Sequence, residues 1–157
     1  MHSQRPVRLA SLELPELPLS VRPDDPALSE ALTTCKSIWE EPQAHSPSEL
    51  ATWLEKLGSG LQGLLRILRE LPPKEEGLGA VIFAISGHTL LHAAQVLSKG
   101  LDRCGNPCKG LQETQKQLEK RAQEFFGACA LRALSEADPT LDVWRLHCDR
   151  AIKGVEP

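Results

Sequence analysis

Two histidines of this sequence, His88 and His92, have a spacing that suits metal binding. Residues four apart lie on one face of a helix, so both imidazoles could reach one ion. Zinc proteases with this pattern need a glutamate directly after the first histidine to activate water, and Thr89 stands there instead. No acidic third ligand is near in the sequence. We therefore expect two structural histidines that bond to side chains of neighbouring helices, with a His88/His92 metal site as an alternative.

A second set of possible zinc ligands consists of two cysteines, a histidine and a third cysteine: Cys104, Cys108, His147 and Cys148. Structural zinc takes four such ligands in a tetrahedron. The spacing does not favour this site, because Cys108 would begin a helix while Cys104 would lie in the preceding loop. Adjacent residues such as His147 and Cys148 also point to different sides of a helix. We interpret these cysteines as loop and core residues.

No arrangement of residues is typical of an enzyme. The Gly-Ser-Gly run at 58–60 lies inside a helical pattern and lacks the lysine of a phosphate-binding loop. Acidic residues are spread over the predicted exposed faces, so no pair of carboxylates suggests acid–base catalysis. We expect a non-enzymatic protein that needs neither a metal nor another cofactor.

Helix signals dominate the rest of the sequence. Leucine occurs 26 times, valine and isoleucine together 11 times and tyrosine never, a balance that favours helix over sheet. Four pairs of a capping residue and a proline mark helix starts, because the first side chain accepts amide hydrogen bonds and proline at the first helical position loses none. These pairs are Asp25-Pro26, Ser46-Pro47, Asn106-Pro107 and Asp138-Pro139.

The predicted fold is all-α, an antiparallel up-and-down bundle of four to five helices with an irregular N-terminal tail. The tail covers residues 1–24 and the bundle covers residues 25–154. Prolines and glycines bound helices that begin near residues 26, 47, 74, 107 and 139, and the third is expected to end at Lys99, before Gly100. In the fifth helix, the predicted apolar residues include Leu141, Trp144, Leu146 and Cys148.

The tail is rich in proline and leucine, and its prolines exclude a helix. Leu14 and Leu17 lie in a Glu-Leu-Pro-Glu-Leu-Pro-Leu segment that suits an extended peptide in an apolar groove. This segment is either a flexible tail or a docking strip, and the groove would belong to its own bundle or to a partner.

Residues 77–98 contain no charged side chain and are long enough to span a bilayer. Two imidazoles near the middle make insertion into hydrocarbon costly. We expect a central helix buried by its neighbours, and a membrane helix over residues 77–98 is the alternative.

Charge and cysteine content narrow the partners and the compartment. The net charge is −3, from 18 basic and 21 acidic residues, without a basic block that could follow a phosphate backbone. Five cysteines, an odd number, and an N-terminus without a continuous apolar run indicate a reducing compartment. We expect a cytoplasmic or nuclear protein that binds other proteins, with no direct contact to nucleic acid and no small-molecule ligand.

The function that these patterns favour is protein–protein interaction, as an adaptor or small subunit of a multiprotein complex. Apolar residues nearly encircle the second helix, and Phe125 and Phe126 point apolar rings in two directions. One bundle can bury one side of each outer helix, and the remaining apolar surface usually marks a partner site. The candidate contact residues, each of which could instead fill the core, are Trp39, Trp53, Leu65, Leu68, Phe126, Trp144, Leu14 and Leu17.

Overall fold

The computed structural model of the chain describes residues 6–9, 12–18, 21–39, 47–71, 76–104, 109–134 and 139–155. Over these residues the chain forms two short strands and then five helices that pack against one another, which confirms the predicted all-α bundle. The strands are β1 (Pro6–Leu9) and β2 (Leu12–Glu16). The helices are α1 (Pro26–Trp39), α2 (Pro47–Glu70), α3 (Glu76–Cys104), α4 (Lys109–Leu134) and α5 (Pro139–Val155).

The predicted start of α1 is confirmed in atomic detail. The carboxylate Oδ1 of Asp25 accepts hydrogen bonds from the backbone amides of Ala27 and Leu28, at 2.9 and 3.3 Å. These amides have no partner inside the helix, so the carboxylate satisfies donors that would otherwise face only water. Pro47 and Pro139 also begin helices as predicted. The capping residues Ser46 and Asp138, together with the Asn106-Pro107 pair, lie outside the described residues.

Helix α3 is longer than predicted. It continues through Gly100 to Cys104, whereas the sequence pattern placed its end at Lys99. Glycine inside a helix costs about 1 kcal/mol relative to alanine, which is not enough to end a helix with the packing of α3.

The N-terminal tail is more regular than predicted, because β1 and β2 pair as an antiparallel hairpin. Arg8 pairs with Glu13 and Pro6 with Glu16, so Val7 lies opposite both Leu14 and Pro15. This bulge accommodates a proline that would interrupt a regular ladder of hydrogen bonds.

The hairpin docks on its own bundle. Leu9, Leu14 and Leu17 are buried. The indole Nε1 of Trp144, in α5, donates a hydrogen bond of 2.7 Å to the backbone carbonyl of Glu16 at the end of β2. Of the two grooves considered for Leu14 and Leu17, the structure therefore shows the one on the chain itself.

Helix α3 lies at the centre of the bundle and contacts all four other helices. It is long and apolar enough to cross a membrane, but 78% of its most apolar window is buried by the rest of the chain. Small residues let α4 approach closely: a Cβ atom at Gly87 would lie 2.8 Å from the Phe126 ring. The structure thus places residues 77–98 within the central helix of the bundle, where neighbouring helices cover most of them.

Candidate functional site

One polar contact inside the bundle joins two histidines from different helices. His88 of α3 and His147 of α5 place their Nε2 atoms 3.0 Å apart. The edge of the Phe126 ring, from α4, covers His88 at a centroid distance of 4.8 Å. Three helices thus meet at His88 and His147, which together form the imidazole pair.

Burial holds both imidazoles in the neutral form. Desolvation, and then the positive charge that His147 can carry, lower the pKa of His88 from 6.5 to about 4. Desolvation, and then the cation of Arg150, also lower the pKa of His147. At neutral pH one ring donates its Nε2 proton to the other, and the tautomers follow from that hydrogen bond.

His92 lies one turn along α3 but faces a different helix. Its ring stacks on the indole of Trp39, in α1, at a centroid distance of 3.9 Å and an interplanar angle of 6°. The indole Nε1 of Trp39 donates a 3.1 Å hydrogen bond to Thr89 Oγ1, which donates in turn to the carbonyl of Ile85. Both histidines therefore contact side chains of neighbouring helices, as expected, and their contacts lead to α5 and α1 rather than to one shared ion.

The described cysteines are buried, free thiols. Burial raises the pKa of Cys35 to about 12, and its Sγ contacts the carbonyl of Ile85 at 3.9 Å. A hydrogen bond with Cys129, followed by burial, raises the pKa of Cys148 far above its usual value. The Cys35 and Cys148 thiols are therefore protonated at neutral pH and lack the thiolate that a nucleophilic cysteine requires. Cys108 and the side chain of Cys104 lie outside the described residues.

His147 and Cys148 point to different sides of α5, as the sequence predicted. His147 contacts His88 while Cys148 is fully buried beside Cys129. Among the described residues, no group of three or more histidines, cysteines and acidic residues is arranged to hold a metal ion.

Five of the eight candidate contact residues belong to the core, which corrects their assignment to a partner surface. Each of the five has at most 5% of its surface exposed: Trp53, Phe126, Trp144, Leu14 and Leu17. The prediction assumed that neighbouring aromatic residues on one helix could not both be covered by the same bundle. Helix α4, however, contacts both α3 and α5, so Phe125 and Phe126 are both buried.

The other three candidates are partly buried. The Trp39 indole is engaged with α3 of its own chain. Leu65 and Leu68 belong to a line of four leucines on α2, here named the α2 leucine stripe, whose members are Leu54, Leu61, Leu65 and Leu68. Their spacing of seven, four and three residues places them on one side of the helix. The stripe lies beside the buried line of α2, formed by Trp53, Leu57, Leu64 and Ile67.

Sequence reasoning missed a second apolar surface, on α5. Val143 and Leu146 are 51% and 50% exposed, more than any other large apolar side chain described. The sequence names Leu146 as one apolar residue of the fifth helix, but it follows the buried Trp144 by two positions, about 200° around a helix. A strict helical period would have placed it outside.

A cleft of about 330 Å³ lies between the start of α1, the end of α2 and the start of α3. Ala27 and Leu78 are among its apolar residues, and its acidic residues already have structural partners. Asp25 caps α1, and Arg66 pairs with both Glu30 and Glu70. The charges of this cleft are therefore used within the fold.

Comparison with protein families, with curated proteins and with solved structures gives no match for this chain.

Proposed function

We propose that this protein is a non-enzymatic protein-interaction module, an adaptor or small subunit of a cytoplasmic or nuclear complex. The observation that carries the proposal is the α2 leucine stripe, in which four leucines remain only partly covered by the chain's own bundle. The raised pKa values of the Cys35 and Cys148 thiols are consistent with a role that does not use these cysteines as nucleophiles.

The shape of the stripe suits a helix from another protein. From Leu54 to Leu68 it covers 14 residue steps, about 21 Å of a straight helix. A partner helix of about four turns has that length, and it would present apolar residues at three- and four-residue spacing. Burial of apolar surface contributes a free energy of about 25 cal/mol per Å² and would favour association. The entropy lost when the two chains are ordered opposes it.

The rim of the stripe is polar, which is typical of a partner site. Glu55 and Arg69 are exposed on α2, and Arg66 lies between two carboxylates. An apolar centre with a charged rim excludes water from the contact and orients the partner.

The test compares two glutamate substitutions on α2. Leu68→Glu places a charge in the stripe, whereas Ser59→Glu places the same charge on an exposed position almost opposite. Each variant and the wild-type chain is used for affinity purification from cells with quantitative mass spectrometry, and circular dichroism checks the helix content.

We expect Leu68→Glu to lose partners that the wild type and Ser59→Glu both retain, with unchanged helix content. Identical partners for all three proteins would contradict the proposal. If Leu68→Glu unfolds, Leu68 belongs to the core, and the milder Leu65→Ala must then reduce partner recovery for the proposal to stand.

A further inference from the structure

Helix α5 packs mainly against α4, and two polar contacts of the described residues, one turn apart, join it to α3 and to the N-terminal hairpin. His147 contacts His88 of α3 at 3.0 Å, and the Trp144 indole donates to the carbonyl of Glu16 at 2.7 Å. The position of the N-terminal hairpin is therefore coupled to the position of α5.

The hydrogen bond of the imidazole pair depends on how many protons the two rings carry. Two neutral rings make one N–H···N hydrogen bond, and a pair with one added proton still has a donor and an acceptor. When both rings are protonated, both Nε2 atoms are donors, and two like charges lie 3.0 Å apart at a partly buried site. Double protonation therefore turns an attractive contact into a repulsive one.

The described neighbours of the imidazole pair do not compensate that charge. From α4, the Phe126 ring contacts His88 and carries no charge. From α5, the cation of Arg150 acts on His147, while the carboxylate of Asp149 is 3.7 Å from Arg145. The cation of Arg150 adds to the repulsion.

We propose that the imidazole pair makes the docking of α5 sensitive to pH, so that acidification separates α5 from α3 and with it undocks the N-terminal hairpin. The reaction is the uptake of protons from water and breaks no covalent bond. It exposes Trp144, whose indole bonds to the hairpin. Helix α5 can shift in this way without unfolding the bundle, because α1, α2, α3 and α4 retain their own contacts.

The test uses the indole protons of the three tryptophans, observed by nuclear magnetic resonance on the full-length, isotope-labelled chain. Trp144 reports the docking of α5, and Trp53, whose indole Nε1 is buried, reports the packing of α2. The ratio of their exchange rates removes the intrinsic effect of pH on exchange.

The expected shift follows from proton linkage at His88. If the pKa is about 4 when α5 is docked and near 6.5 when it is open, the opening equilibrium rises about 60-fold between neutral pH and about pH 4.5. The Trp144 exchange rate should rise by that factor relative to the Trp53 exchange rate. If acid accelerates the exchange of both indoles by the same factor, the ratio of their rates is unchanged. That result means that the whole chain unfolds together, and it overturns the proposal.

Two glutamine variants identify the responsible group. His147→Gln keeps a hydrogen-bonding side chain that does not titrate and removes the like charge beside His88, while the burial that lowers the pKa of His88 remains, so the acid response of the exchange ratio should become smaller. His92→Gln is the matched control on α3 and should respond like the wild type. A full response in His147→Gln, or its loss in His92→Gln, overturns the assignment. If His147→Gln does not fold, the His88 resonances of the wild type are titrated instead. The proposal then requires that the rise in the wild-type exchange ratio follows the protonation of His88, and a rise at a different pH overturns it.

Discussion

Gly87 lies where α3 and α4 come closest, and replacing it with alanine should destabilise the protein. A Cβ atom at this position would lie 2.8 Å from Cε1, 3.0 Å from Cδ1 and 3.2 Å from Cζ of Phe126. Contacts of a Cβ atom in proteins are rarely closer than 3.4 Å, so the ring or the helix must move. Phe126 has no exposed surface, and its ring also contacts His88, so the ring cannot turn into solvent.

Two effects of opposite sign determine how much Gly87→Ala changes the free energy of unfolding. Alanine is favoured over glycine inside a helix by about 1 kcal/mol. Overpacking of a buried site costs about 1 to 3 kcal/mol, and the 2.8 Å contact at Gly87 places its cost in the upper half of that range, at about 2 to 3 kcal/mol. We therefore expect Gly87→Ala to lower the free energy of unfolding by about 1 to 2 kcal/mol. Gly58 is exposed in α2, and a Cβ atom added there would have no neighbour within 4 Å, so Gly58→Ala should show only the first effect and gain about 0.5 to 1 kcal/mol.

The measurement is urea unfolding followed by far-UV circular dichroism. The midpoint, and the slope of the free energy of unfolding against urea concentration, are compared among the wild type, Gly87→Ala and Gly58→Ala. The two variants should shift the midpoint in opposite directions at similar slope. A Gly87→Ala protein as stable as the wild type, together with a stabilised Gly58→Ala protein, would refute the close approach of α3 and α4 described above.

Three further predictions concern single contacts. Asp25→Ala should lower the free energy of unfolding by about 1 kcal/mol, measured by urea unfolding, because two amides at the start of α1 lose their acceptor; an unchanged midpoint would contradict the cap. Trp144→Phe should cost more stability than Trp53→Phe in thermal unfolding, because Trp144 Nε1 donates to Glu16, whereas Trp53 Nε1 is buried with no hydrogen-bond partner among the described residues. Cys35, with its pKa raised to about 12 by burial, should react with a thiol reagent at neutral pH only after denaturation, as peptide mass spectrometry would show; rapid labelling of the folded protein would mean that its site opens to solvent.

Local signals in the sequence predicted the helices, because a cap and a proline act on neighbouring residues. Asp25 accepts the amides two and three positions ahead, an interaction that needs no knowledge of the fold. The hairpin was not predicted, because its strands are four and five residues long, include prolines and depend on docking against α5.

The site depends on contacts that no spacing in the sequence reveals. His88 and His147 are 59 positions apart, and only the packing of α5 beside α3 brings them together. The exposure of Phe126 likewise depends on which helices flank α4. The stripe residues Leu65 and Leu68 were identified because the apolar surface of α2 is wider than one line of core contacts can cover.

The hydrogen bond between Trp144 and Glu16 connects residues 128 positions apart, and this separation orders events during translation. A ribosome that adds about 5 to 20 residues per second needs about 6 to 26 s to make the intervening chain. The hairpin therefore emerges well before its docking helix exists, and the nascent chain exposes Leu14 and Leu17 throughout that interval. Chaperones that bind short leucine-rich segments can bind the hairpin during that interval, which ends once α5 leaves the exit tunnel.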